Sequence, residues 1–263
     1  MASAVMTWEP QRYLAFADQR LRPALELLAR VPLQEAQDIV DLGCGAGNVT
    51  GHLRQRWPAA AITGVDSAPE MLAAARKQAI PGPPVRWEQQ DVAQWRPGAP
   101  VHLIYSNAAL HWVPHHPRLF PALLGHLRPG GVLAVQMPCN FSQPSHTLVK
   151  TAAQAGPWWQ RLQPRFQPAP LLEPQGYYDL LAPRCRAVDI WRTEYLQVLE
   201  GESPVADFTK GSFLKYFLDA LEEPERSQFE AVYRRLVRQA YPHRHGGRTV
   251  FPMHRLFIVA QRQ

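Results

Sequence analysis

Cysteine is scarce in this chain: Cys44, Cys139 and Cys185 are the only three in 263 residues. An odd number so widely spread argues against a disulfide framework and for a reducing, cytoplasmic setting. No apolar run approaches the ~18 residues of a membrane span. The first residues, Met1 to Trp8, lack the basic flank and long apolar stretch of a secretory signal. There is no internal repeat and no low-complexity tract. The net charge of +6 arises from 28 Lys plus Arg against 22 Asp plus Glu, yet no Lys/Arg-rich block with interleaved aromatics concentrates it. A solvated basic surface or a basic pocket for an anionic small molecule accounts for it, and neither nucleic acid nor membrane is expected as a partner. His115-His116 and the pair His243 and His245 have no acid or cysteine at ligand spacing, so no metal site is expected.

What is present is a hydrophobic fraction of 46%, ordinary for a chain that builds a real core, and one glycine-rich stretch. Val40-Asp41-Leu42-Gly43-Cys44-Gly45-Ala46-Gly47-Asn48 reads as the end of a buried strand, a tight loop and the start of a helix. Glycine at alternate positions lets a ligand approach the backbone. The helix start near Asn48-Val49-Thr50 favours an anionic group. A second apolar run, Ile62-Thr63-Gly64-Val65, ends in Asp66, an acid placed to take both hydroxyls of a ribose. The spacing is Gly-x-Gly-x-Gly rather than the Gly-x-Gly-x-x-Gly of dinucleotide sites. Asp41, just before the loop, would repel a pyrophosphate and attract a cation. S-adenosylmethionine joins a nucleoside to a tail bearing an ammonium and a carboxylate. Asp41 suits the ammonium, the loop amides the carboxylate and Asp66 the ribose, with Ser67 beside it in the same binding set.

Periodicity divides the rest. Residues 8–31 form an N-terminal helical cap. Strands at Ile39–Leu42, Ile62–Val65, Val85–Glu88, Leu103–Ser106 and Val132–Gln136 alternate with helices at 48–57, 68–78 and 118–127, with Ser67 as N-cap of the second. Arg128-Pro129-Gly130-Gly131 is the turn before the fifth strand. This alternation over 35–138 argues for a parallel sheet with right-handed crossovers, the cofactor-binding core. Beyond it, 139–175 is too rich in proline for a long helix, 187–199 alternates as a strand, 204–240 is helical and Arg255–Gln261 is an apolar strand. The expected organisation is one domain, 1–263, with 139–175 and 204–250 as cap or lid over the sheet's carboxyl edge.

These features together resemble the class I S-adenosylmethionine-dependent methyltransferases: the loop, Asp66, Asp91 in Glu88-Gln89-Gln90-Asp91-Val92, Ser106-Asn107-Ala108, and Leu127 to Gly131. Within that superfamily the chain is similar to the bacterial trans-aconitate methyltransferase branch. The branch signatures are Trp8 to Phe16, Arg20-Leu21-Arg22-Pro23-Ala24, Ser106 to Val113, Val135 to Pro138, Gly176-Tyr177-Tyr178-Asp179, Val188 to Thr193 and Arg255 to Ala260. The resemblance implies an α/β, Rossmann-like sheet of seven strands, mostly parallel, with the last strand antiparallel at one edge. It implies that Asp41, Gly43, Gly45 and Asn48 line the methionine end and Asp66 the ribose. Asp91 and Val92 would flank the adenine, Met71 would cover one adenine face, and Asn107 would sit near the sulfonium. The chain departs from the branch pattern at His111, where a Gln is usual, at Pro138-Cys139-Asn140-Phe141, at Ser212 to Tyr216, and at Val149-Lys150.

The expected activity is O-methylation of a carboxylate of a small anionic acid of the trans-aconitate kind. A carboxylate is already ionised at pH 7, so no general base is required. Cations then orient the substrate: Arg12, Arg20 or Arg22 with Lys150, Arg192 or Lys215, while Tyr13 and Trp112 close over it. Arg22, Lys215 and His111 are the candidate catalytic residues, His111 being the one group able to act as a base near neutral pH. Alternatives are N-, O- or S-methylation of a secondary metabolite with His111 as base, an S-adenosylmethionine-binding protein without transfer activity, and an RNA modifier. A monomer is expected, with a dimer as the alternative.

Overall fold

A computed structural model describes residues 17–263, of which 17–20 are described by backbone alone. The Trp8 to Phe16 signature, with Arg12 and Tyr13, lies outside the described residues. The elements, in chain order, are α1 (Ala17–Ala29), β1 (Asp38–Leu42), α2 (Thr50–Arg56), β2 (Ala61–Asp66), α3 (Pro69–Ala75), β3 (Arg86–Gln89), β4 (Val101–Asn107), α4 (His116–Gly125) and β5 (Leu127–Pro138). There follow α5 (Pro144–Gln154), α6 (Trp159–Leu162), α7 (Pro174–Leu181), β6 (Cys185–Leu199), α8 (Pro204–Lys210), α9 (Lys215–Leu218), α10 (Glu225–Ala240) and β7 (Thr249–Arg262). The seven strands form one sheet in the order β3-β2-β1-β4-β5-β7-β6. β1 to β5 pair in parallel, and β7 runs antiparallel to β5 with Val135 opposite Ile258.

The antiparallel last strand was expected at the sheet's edge; it lies between β5 and β6, and β6 forms the margin. The reason is legible in side chains. Leu256 to Ala260 are buried without alternation, as a strand covered on both faces requires. β6 is mostly exposed over its first half and alternates from Thr193 to Leu199, with Tyr195 and Leu199 buried, as an outer strand covered on one side does. A second correction concerns Arg128 to Gly131, which is the irregular start of β5 rather than a turn before it, with Gly130 at φ 77°. A third is the N-cap of α3. It is Ala68 rather than Ser67, which is exposed, and Asp66 Oδ1 accepts the Ala68 N–H at 2.9 Å.

The described chain divides into two compact units. One comprises 17–138, Pro170–Thr193 and Arg255–Gln263. It holds the parallel strands, and α1 is fastened in it by the Tyr105 hydroxyl, which donates to the Ala24 carbonyl at 2.6 Å. The other comprises Cys139–Ala169 and Glu194–His254. Its frame is α5 against α10, where Tyr233 donates to the Ser145 carbonyl at 2.8 Å and Trp158 packs edge-on to Phe229. Among the described residues no helix is long and apolar enough to cross a membrane.

Candidate active site

The strand order reverses between β1 and β4, and open α/β sheets take ligands outside the carboxyl ends of the strands at such a point. Three strand ends supply the chemistry. β1 delivers Asp41, in register with Gly64 of β2 and Tyr105 of β4. Its side chain is 2% exposed. Thr50, opening α2, donates its hydroxyl to Asp41 Oδ2 at 2.6 Å. Burial pushes the Asp41 carboxyl up to about 7; the Thr50 hydrogen bond opposes the rise and the nearby charge of Asp66 adds to it.

The loop after β1 holds Gly43, Gly45 and Gly47 at φ 77°, 55° and 80°, a left-handed backbone that other residues resist. The N–H groups of Gly43 and Cys44 both donate to the Val65 carbonyl, at 2.8 and 3.0 Å. Gly45 N–H donates to Asp66 Oδ2 at 2.8 Å. Asp66 therefore braces the loop with one oxygen and the start of α3 with the other, and each oxygen retains a lone pair for a hydroxyl. Burial raises its carboxyl, with the Ala68 and Gly45 donors acting against the rise. A Cβ on Gly43 would stand 2.1 Å from that of Ala109, whereas one on Gly45 would meet nothing within 4 Å. Gly43 is thus a packing glycine, and Gly45 faces open space. Cys44 is buried, and burial together with Asp41 and Asp66 drives its thiol well up, leaving it protonated and unreactive.

β4 ends in Asn107, in register with Gln136 of β5. Ser106 below it donates to the Leu42 carbonyl at 2.7 Å, locking β4 to β1. Asn107 Oδ1 and Gln136 Nε2 are buried, and neither has a hydrogen-bond partner among the described residues. The chain then turns through Ala108, at φ 53°, into a 3-10 turn at Leu110–Trp112. His111 is buried there with its ring 4.7 Å from Trp112, which is 42% exposed. The turn is anchored by His116. Its Nε2 lies 2.9 Å from the Leu110 carbonyl and its Nδ1 2.5 Å from the Tyr177 hydroxyl. A carbonyl can only accept, so Nε2 carries the proton and Nδ1 accepts from Tyr177. Burial lowers the His116 pKa, in keeping with a neutral ring.

The remaining expected residues fall as follows. Asn48 is half-buried in the loop, Met71 and Val92 are buried, and Asp91 is exposed with Oδ1 accepting the Ala93 N–H at 2.9 Å. Three of the substrate cations already hold acids: Arg22 with Glu26 at 2.9 Å, Arg192 with Glu173 at 2.7 Å and Lys215 with Asp219 at 3.0 Å. Lys150 is exposed on α5, and it and Lys215 belong to the second unit. Arg20 lies on α1 among the residues described by backbone alone. Thr50, Gln136 and the His116–Tyr177 pair were missed by sequence reasoning. The only signals were a hydroxyl in the first turn after the loop, and the Gly176 to Asp179 and His115-His116 stretches, whose pairing across the fold no local pattern reveals.

A buried lone acceptor, a buried lone donor, two carboxyls raised by burial and a glycine facing open space suit S-adenosylmethionine. Its ammonium would answer Asp41 and its ribose hydroxyls Asp66. Fold and site together define a class I S-adenosylmethionine-dependent methyltransferase, and residues 39–131 match the methyltransferase domain family model. The chain is 49% identical to the trans-aconitate 2-methyltransferase of Azoarcus sp. strain BH72, covering 97% of this chain and 99% of that one. It is 44% identical to that of Variovorax paradoxus strain S110, covering 98% and 100%. The chain belongs to the trans-aconitate 2-methyltransferase family. Solved structures share its fold, among them the YcgJ protein of Bacillus subtilis, with TM-score 0.58 at 10% identity over 92% of this chain and 99% of that one. Another is the Haemonchus contortus phosphoethanolamine N-methyltransferase 2, with TM-score 0.53 at 14% identity over 92% and 53%.

Proposed function

We propose that this enzyme methylates a carboxylate oxygen of a small polycarboxylic acid of the trans-aconitate kind, giving a methyl ester, in a cytoplasmic setting. The observation that carries the reading is full-length identity with relatives named for that reaction. Buried free thiols at Cys44 and Cys185 suit a reducing compartment. When bound, S-adenosylmethionine supplies a methyl group activated by its sulfonium charge. Asp41 and the loop would hold its amino-acid tail, Asp66 its ribose, Asp91 with Val92 and Met71 its adenine.

The chain's own contribution is positioning and exclusion of water. An ionised carboxylate attacks unaided, so the protein has to hold it still and partly strip its hydration. The 3-10 turn, fixed through His116 and Tyr177, sets where His111 and Trp112 stand. We assign His111 a positioning hydrogen bond to the acceptor. Arg22, Lys150, Arg192 and Lys215 are the candidate anion-holding cations. Those already paired must exchange an in-chain carboxylate for the substrate's, which favours an acceptor with several carboxylates over one with a single charge.

The test uses purified protein, labelled S-adenosylmethionine and a panel of mono-, di- and tricarboxylic acids including trans-aconitate. The expected result is base-labile label on a polycarboxylate. Cofactor binding without transfer to any acid would overturn the reading. Transfer to an amine or phenol that disappears in His111→Gln would establish His111 as a base instead.

A further inference from the structure

Gln136 places an amide in β5 where its chain neighbours are apolar. Val135 and Met137 are fully buried, and Gln136 itself is 1% exposed. Its Nε2 has no hydrogen-bond partner among the described residues. Folded chains leave few buried donors in that condition, because such a group loses water on folding without a replacement. Gln261, a buried glutamine on the adjoining strand, shows the usual outcome: its Nε2 donates to the Gly130 carbonyl at 2.9 Å. In the row across the sheet Gln136 stands between Asn107 of β4 and Phe257 of β7. Asn107 Oδ1 could take the donor, yet it too is buried and without a partner among the described residues. The Ala108 N–H donates to the Gln136 carbonyl at 2.9 Å, which fixes the two strand ends against each other.

Register places this pair relative to the cofactor groups. Asp41 is opposite Tyr105, and Tyr105 is opposite Ala134. Asn107 and Gln136 lie two residues farther along their strands, so Asp41, Asn107 and Gln136 project from one face of the sheet. At ~4.7–4.9 Å per strand, β5 stands about 10 Å from β1, with β4 between them. Asp41 and Asp66, the carboxyls suited to the ammonium and the ribose, end β1 and β2 on the other side of β4. The ends of β4 and β5 are left for the second reactant. Asn107 offers an oxygen, which suits the positive sulfonium and its methyl group. Gln136, one strand farther out, offers a donor, which suits an anion. We propose that Gln136 is a specificity-determining residue that holds the methyl acceptor, its Nε2 donating to the carboxylate oxygen that is not methylated. The other oxygen is thereby turned toward the methyl group with its lone pairs free. A donor already stripped of water makes a stronger hydrogen bond to a charged oxygen than a surface donor does. The inference rests on the carboxylate reading above and names the residue that recognises that carboxylate.

The test uses the full chain, labelled S-adenosylmethionine and trans-aconitate as acceptor. Gln136→Met replaces the amide with an apolar side chain of similar length. Its melting temperature should be unchanged or higher, because no hydrogen bond within the chain is lost. Its Kd for S-adenosylhomocysteine by calorimetry should stay within about twofold of wild type, while the KM for trans-aconitate rises about tenfold or more, the loss expected of a hydrogen bond to a charged group. Gln136→Glu sets a carboxylate against the acceptor's own. Its KM should rise further at pH 8 and recover relative to wild type as pH falls, when the introduced carboxyl gains a proton to donate. Gln136→Asn, which withdraws the amide by one methylene, serves as a further variant should the apolar one fail to fold, and its KM rises likewise. An acceptor KM unchanged in these variants would overturn the proposal and leave carboxylate methylation standing. A lowered melting temperature with a weakened cofactor Kd would overturn it too, by marking Gln136 as a structural donor. A wild-type protein that methylates no carboxylic acid would overturn both readings, so the two failures are distinguishable.

Discussion

Asp41→Asn separates stability from binding at a single atom. The Asp41 carboxyl is raised from 3.8 to about 7 by burial. The folded chain without cofactor therefore keeps a proton that the unfolded chain releases from about pH 4 upward. A raised acid makes the native state bind more protons than the unfolded state, so stability falls as pH rises through that interval and levels off above 7. At about 1.4 kcal/mol per pH unit the whole cost is about 4 kcal/mol, of which about 3 falls between pH 5 and pH 8. Asparagine does not titrate, and its Oδ1 can still accept from Thr50, which donates to Asp41 at 2.6 Å. Without cofactor, wild type should lose about 3 kcal/mol relative to Asp41→Asn on going from pH 5 to pH 8, roughly 6–12 °C in melting temperature for a protein of this size. With S-adenosylmethionine the order reverses: the cofactor's ammonium stabilises charged Asp41, so wild type gains a large thermal shift at pH 8 and the variant little. The assay is thermal denaturation of both proteins at several pH values, with and without cofactor. A wild-type-to-variant difference that stays flat between pH 5 and pH 8 would refute the reasoning.

The loop glycines should divide by what their missing side chains meet. Gly43→Ala, which forces a Cβ to 2.1 Å from Ala109, should cost about 3 kcal/mol or more in denaturant melts. Gly45→Ala, with open space around it, should cost about 1 kcal/mol for its φ and yet abolish cofactor binding by calorimetry. Tyr177→Phe removes the donor to His116 Nδ1 and should destabilise by about 1–3 kcal/mol. Its kcat should fall more than its KM for cofactor rises, because the Leu110–Trp112 turn loosens while the loop does not. Lys150→Ala and Lys215→Ala are measured with a tricarboxylate and a monocarboxylate in parallel. The KM for the tricarboxylate should rise several-fold in at least one of them, and equal KM values throughout would remove both lysines from the site.

The parallel half of the sheet was legible because its demands are local. Asp41 at a strand end, three glycines at alternate positions and Asp66 one strand later each answer a backbone constraint that only a few residue types satisfy. The misplacement of β7 had a different origin. Its burial on both faces is written in the unbroken apolar run from Leu256 to Ala260, whereas the family resemblance alone implies an edge position. What no local pattern carries is partnership across the fold. Thr50 reaches back nine residues to Asp41 and Tyr177 reaches sixty-one to His116, and a hydroxyl's spacing says nothing about which acceptor it will meet. The same blindness applies to the substrate cations, with a sharper consequence. Arg22, Arg192 and Lys215 looked in sequence like charges awaiting an anion, and the fold supplies each with an acid. Such exposed pairs are worth about 0.2–1 kcal/mol, little enough for a polycarboxylate to displace, so on the proposed reading they would set a threshold on the acceptor's charge. Under the proposed reading, acceptor choice would follow from how much carboxylate the ligand brings relative to the acid each cation already holds, a comparison that exists only in the folded molecule.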